Sequence, residues 1–98
     1  MARIMTHPGE VLREEFMEPL NLSANQLGKL LGIAPNRISD IVRCRRKVTA
    51  DTALRLAKCF STTPEFWMNL QLAYDVSVAI HDHGEEIERE VSMVDVAA

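Results

Sequence analysis

Apolar residues recur at helical spacing in five successive stretches, and nowhere do they alternate as a half-buried strand requires. In the first stretch Leu12, Phe16 and Leu20 recur every four residues, with Val11 and Met17 beside them. Pro8 suits a first helical position, Glu10, Glu14 and Glu15 suit the positive end of a helix dipole, and Pro19 is a stop, so a helix is predicted from about Pro8 to Glu18. Ser23 and Gln26 form a capping box ahead of Ala24 to Leu31, whose Leu27, Leu30 and Leu31 share one face and which Gly32 ends. Pro35 begins a third helix with Ile38, Ile41 and Val42 on its apolar side and Asn36, Arg37, Ser39, Asp40 and Arg43 on the other. Thr49 can cap a fourth, with Ala53, Leu54, Ala57 and Phe60 facing inward. Thr63-Pro64-Glu65 starts a fifth, with Phe66, Trp67, Leu70 and Ala73 as its stripe, continuing through Tyr74 and Ile80 until Gly84 stops it. The expected fold class is therefore all-α, a five-helix domain over residues 1–84 with a short acidic C-terminal tail over 85–98.

Composition keeps this picture and adds a charge division. At 98 residues, 47% of them hydrophobic, the chain suits one globular domain. No stretch reaches the roughly 18–20 uncharged apolar residues of a membrane span, and the N-terminus lacks a signal-peptide core, so no membrane association and a cytoplasmic location are expected. Cys44 and Cys59 fall in predicted helices without framework spacing and are expected as reduced, semi-buried thiols. The net charge of -3 conceals two parts. Residues 1–60 carry net +4, whereas residues 61–98 carry net -7. A phosphate-facing body joined to an acidic segment fits this better than an evenly acidic protein.

The region from about 24 to 43 meets the constraints of a helix-turn-helix. Leu27 and Leu31 supply the core of its first helix, and small Gly28 lies where two helices joined by a few residues cross at roughly 90–120°. Gly32 makes the turn, and Ile38 and Ile41 anchor the second helix. An ordinary helical hairpin would account for these apolar positions equally well. It leaves the outward cluster Arg37, Arg43, Arg45, Arg46 and Lys47 without a purpose, and that cluster decides for a recognition helix in a DNA major groove.

The stretches His7-Pro8-Gly9-Glu10-Val11-Leu12, Leu30-Leu31-Gly32-Ile33, Thr49 to Ala57 and Pro64 to Gln71 resemble the HigA/VapI type of Xre-family helix-turn-helix antitoxins. The resemblance spans about residues 7–75. It implies a repressor-like domain, a homodimer, binding to double-stranded operator DNA at its own promoter, autorepression, and neutralisation of a partner toxin, a HigB-like nuclease that cleaves messenger RNA. Ala34-Pro35 stands where the family more often has a serine cap and a polar residue, and Ser61 replaces a common glycine. A stand-alone repressor of the same family, without a toxin, is the alternative function.

Asn36 is similar in position to a base-reading residue of phage repressors, where an amide pairs with adenine. Arg37 suits guanine or a phosphate, Asp40 either accepts from cytosine or orients Arg37 or Arg43, and Ser39 and Arg43 face base edges or backbone. Gln26, Arg45, Arg46 and Lys47 are placed for phosphates, with a solvated surface as the other reading. Phe66 and Trp67 are core residues or a dimer contact. His81-Asp82-His83 reads as a polar helix end rather than a metal site. The tail, with Ile87, Val91 and Val94 set among glutamates, is either a docking segment for a basic protein or a solubilising end. No nucleophile-base pair or glycine-rich phosphate loop stands out, so neither enzymatic activity nor a cofactor is expected.

Overall fold

A computed structural model describes residues 3–95; the first two positions and the tail positions 96–98 lie outside the described residues. Five helices follow in the expected order, with no strand among the described residues. Helix α1 opens as an α-turn, Pro8–Val11, and continues as a wider π-type helix over Leu12–Met17. In its last turn the Glu18 N–H donates to the Arg13 carbonyl five residues back, at 2.9 Å, just before Pro19 ends the run. His7 caps the start: its Nδ1 accepts from the Gly9 N–H at 2.8 Å. The imidazole is buried edge-on against Tyr74 (centroids 4.7 Å apart), and this burial lowers its pKa against the raising fields of Asp75 and Glu10.

Helix α2 spans Ala24–Leu31, with both halves of the Ser23/Gln26 capping box formed and Gly32 left-handed at φ 72°. A Cβ on Gly28 would lie 2.8 Å from the Ile33 carbonyl oxygen, so the close crossing expected from its size is real. Helix α3 spans Pro35–Val42 and has no side-chain N-cap, because Ala34 has no side-chain acceptor. Helix α4, Ala50–Phe60, is capped by Thr49 and closed by Ser61 in the left-handed region at φ 57°, a conformation glycine adopts more readily.

Helix α5 is longer than expected. It runs over Pro64–Glu90, about 40 Å, and Gly84 does not stop it. One interior glycine costs only about 1 kcal/mol, and the residues after it, Glu85 to Glu90, are mostly good helix formers, so propagation prevails. The division at residue 84 thus falls inside a helix.

The core centres on Leu12, Leu27, Ile38, Ile41, Val48, Leu56 and Trp67, each no more than 1% exposed. In α4 the inward position expected for Leu54 belongs to Leu56, while Leu54 is exposed; Ala53 and Ala57 are buried as expected. Turning through 3.6 residues, the buried arc takes in Thr52, Ala53, Leu56 and Ala57 and leaves Leu54 outside. Leu20 and Leu30 are likewise exposed, so the apolar stripes of α1 and α2 are narrower than their sequences suggest. Trp67 is fully buried, packed against Phe16 and Phe66, with Nε1 donating to Thr62 Oγ1 at 2.8 Å; it has no surface left for a dimer contact. Cys59 lies half-buried in α4, but Cys44 is exposed in the left-handed turn after α3 rather than within a helix. No described helix is long and apolar enough to cross a membrane.

Candidate nucleic-acid interface

Burying Ile38 and Ile41 fixes the rotation of α3 and turns its polar face outward. Asn36, Ser39, Asp40 and Arg43 follow at i, i+3, i+4 and i+7 and so share that face; Asn36 and Arg43 are exposed, Ser39 and Asp40 half-buried. Arg45, Arg46 and Lys47 follow as an exposed loop. Its geometry is set where α3 ends: Cys44 is left-handed at φ 62°, and the Arg45 N–H donates to the Asp40 carbonyl at 2.9 Å.

Arg37 lies to the side of this face. Its Nη2 donates to Thr52 Oγ1 at 2.7 Å and comes within 3.9 Å of the Asp51 carboxylate, so in the free protein it ties α3 to α4. Asp40 faces Arg46, at 3.8 Å, rather than Arg37 or Arg43. This pair is solvent-exposed and contributes little to stability, which leaves Arg46 free to exchange Asp40 for another anion. Gln26 Oε1 accepts from the Ser23 N–H at 2.9 Å, so what the side chain can offer a phosphate is its amide NH2.

Four residues that support this surface were not singled out by sequence reasoning. Arg55 donates from Nη1 to the Leu31 carbonyl at 2.9 Å and from Nε to Asp51 at 2.8 Å, satisfying an orphan carbonyl at the end of α2 from a side chain of α4. That hydrogen bond also holds the Asp51 carboxyl below its ordinary pKa. Thr52, buried, receives Arg37. Gln71, 3% exposed on α5, accepts the Val48 N–H at 2.7 Å and donates to Asp75 at 2.9 Å, anchoring the end of the basic loop. His7 caps the helix that packs on the end of α3. The i,i+4 pair Asp51/Arg55 and a polar Gln71 one turn beyond Trp67 were the available signals.

The arrangement is an outward helix face bearing amide, hydroxyl and guanidinium groups, flanked by a basic loop and held by two neighbouring helices. The helix-turn-helix family profile matches residues 14–67. The chain is 51% identical to virulence-associated protein I of Dichelobacter nodosus over 76 residues, 78% of this chain and 70% of that protein. Among solved structures it is similar to an addiction module antidote protein of the HigA family from Coxiella burnetii, with TM-score 0.89 and 52% identity over 94% of this chain and all of that one. It is also similar to the antitoxin GraA in complex with its operator, with TM-score 0.92 and 46% identity over 99% of this chain and 97% of that one.

Proposed function

Because the chain belongs to the helix-turn-helix family of HigA- and VapI-type proteins, we propose that it is a DNA-binding antitoxin that represses its own operon and neutralises a basic, HigB-like nuclease encoded beside it. The outward face of α3 with its basic loop, on a fold shared with an antitoxin that binds its operator, carries the reading. Asn36, with Ser39, Arg43 and Asp40 on the same face, reads base edges in the major groove. Arg45, Arg46, Lys47 and the Gln26 amide hold phosphates and set the register. Arg37 reaches a base or phosphate by leaving Thr52. The protein acts in the cytoplasm as a regulator without catalysis of its own.

Two copies act together. An eight-residue α3 is about 12 Å long and spans only a few base pairs, so a two-fold dimer places two recognition helices in half-sites about 34–36 Å apart on an inverted repeat. The second copy packs on the exposed aliphatic stripe Leu72, Val76 and Ile80 of α5. The one charged residue within that stretch, Asp75, is already bonded to Gln71, whereas the five acids between Asp82 and Glu90 would repel a copy of themselves.

The readout assignment is tested by alanine substitution. Asn36→Ala is expected to cost about 1–3 kcal/mol on the operator and little on random DNA. Arg46→Ala or Lys47→Ala should weaken both and lower the salt slope by about one. Equal losses on the two DNAs for every variant would overturn it. A stand-alone repressor is distinguished by the absence of an adjoining toxin-like reading frame.

A further inference from the structure

A groove runs between the N-terminal segment, α1 and α5, and none of the residues assigned to DNA lines it. Its apolar lining comes from Val11, Leu70 and Ala73. Its walls carry Glu10, Glu14 and Glu15. Met5 forms the edge and is held there: its N–H donates to Ser77 Oγ at 2.9 Å, and that hydroxyl, on a buried residue, donates to the Tyr74 carbonyl at 2.7 Å. The groove is thus built in the free protein.

The charge is out of place for the surface around it. Three of the six acids in a body of net +4 converge on this groove. The other two body acids with described partners, Asp40 and Asp51, are paired with arginines, whereas no salt bridge is found for Glu10, Glu14 or Glu15 among the described residues. Nucleic acid would be repelled here. What fits is a partner that brings both cations and an apolar ridge.

We propose that this groove is the docking surface for a basic amphipathic segment of the partner toxin, so that toxin is held by the helical body while α3 and its loop remain available to the operator. The occupant rests on the antitoxin reading above; the site rests on the groove. Lys or Arg side chains of the segment pair with the three carboxylates, and its apolar face covers Val11, Leu70 and Ala73. The acidic end of α5 and the residue after it, with exposed Ile87 and Val91, are then dispensable for toxin binding.

The test uses the full chain and the product of the reading frame adjoining its gene, purified together and titrated. Glu14→Lys combined with Glu15→Lys reverses the exposed wall and should weaken toxin binding by about a hundredfold, the order expected when like charges are juxtaposed. Ala73→Arg places a bulky cation in the groove from an exposed helix position and should weaken it at least tenfold, roughly the effect of an unfavourable interface contact. Both variants should keep their unfolding midpoints and their operator affinity, and truncation after Gly84 should keep toxin affinity. Unchanged binding by both variants, loss of binding on truncation alone, or a changed oligomeric state in the variants would overturn the groove as the toxin site. A wild-type protein that does not bind the adjoining product at all would instead overturn the antitoxin reading and the occupant with it.

Discussion

Trp67→Ala should cost about 3–5 kcal/mol of folding stability, the largest loss expected from any single side chain here. The indole is fully buried and touches the Phe16 and Phe66 rings at centroid distances of 5.1 and 5.0 Å, so its removal opens a cavity at the junction of α1 and α5. It also strands the Thr62 hydroxyl that now accepts the indole N–H. A domain of this size has about 5–15 kcal/mol in total, so a large part of the population would be unfolded under mild stress. Trp67→Phe retains most of the ring volume and should lose only part of that amount. Urea unfolding of the three proteins checks the order, and a Trp67→Ala variant as stable as Trp67→Phe would show that the ring is not a core element.

Gly9→Ala should be the most damaging addition of a single methyl group. The new Cβ would fall inside the contact distance of the Ile41 carbonyl oxygen and 2.7 Å from its carbon, and neither backbone atom can swing aside like a side chain. Overpacking of this kind costs about 1–3 kcal/mol and sometimes more. The Ile41 carbonyl also accepts the Cys44 N–H at 3.0 Å in the turn that launches the basic loop, so operator affinity should fall together with stability. Gly84→Ala provides the contrast. Its Cβ would meet only the Ile80 side chain, at 3.4 Å, in the interior of α5, and the change should raise stability by up to about 1 kcal/mol. Paired melts and operator titrations decide; a Gly9→Ala protein with wild-type stability would mean that α1 does not rest on the end of α3.

Ser23/Gln26, Thr49 and Thr63-Pro64 mark helix starts through bonds that span three residues, so those boundaries were legible without the fold. Gly28 and Gly32 were legible because a short turn between crossing helices imposes them. Gly84 does not stop α5, because a lone glycine is a weak stop when good helix formers continue beyond it. Leu56 rather than Leu54 is buried because the choice between them depends on which arc of α4 faces α5, a tertiary matter. The outward residues of α3 were identified from charge and periodicity, yet the diversion of Arg37 to Thr52 was not, since its partner is 15 positions away. Gln71 is the same case at longer range, a bond between α5 and the basic loop that no local pattern encodes.

If α3 and the loop after it recognise a specific DNA sequence, the protein must separate its own upstream DNA from a scrambled duplex. The most direct test is to titrate the unmodified protein, at one fixed physiological salt concentration, against the DNA immediately upstream of its own gene and against a shuffled duplex of the same length and composition. Binding to the upstream DNA should be tighter by at least about a thousandfold, the lower end of the usual separation between specific and non-specific sites. Equal affinity for the two duplexes, or binding to neither, would contradict it.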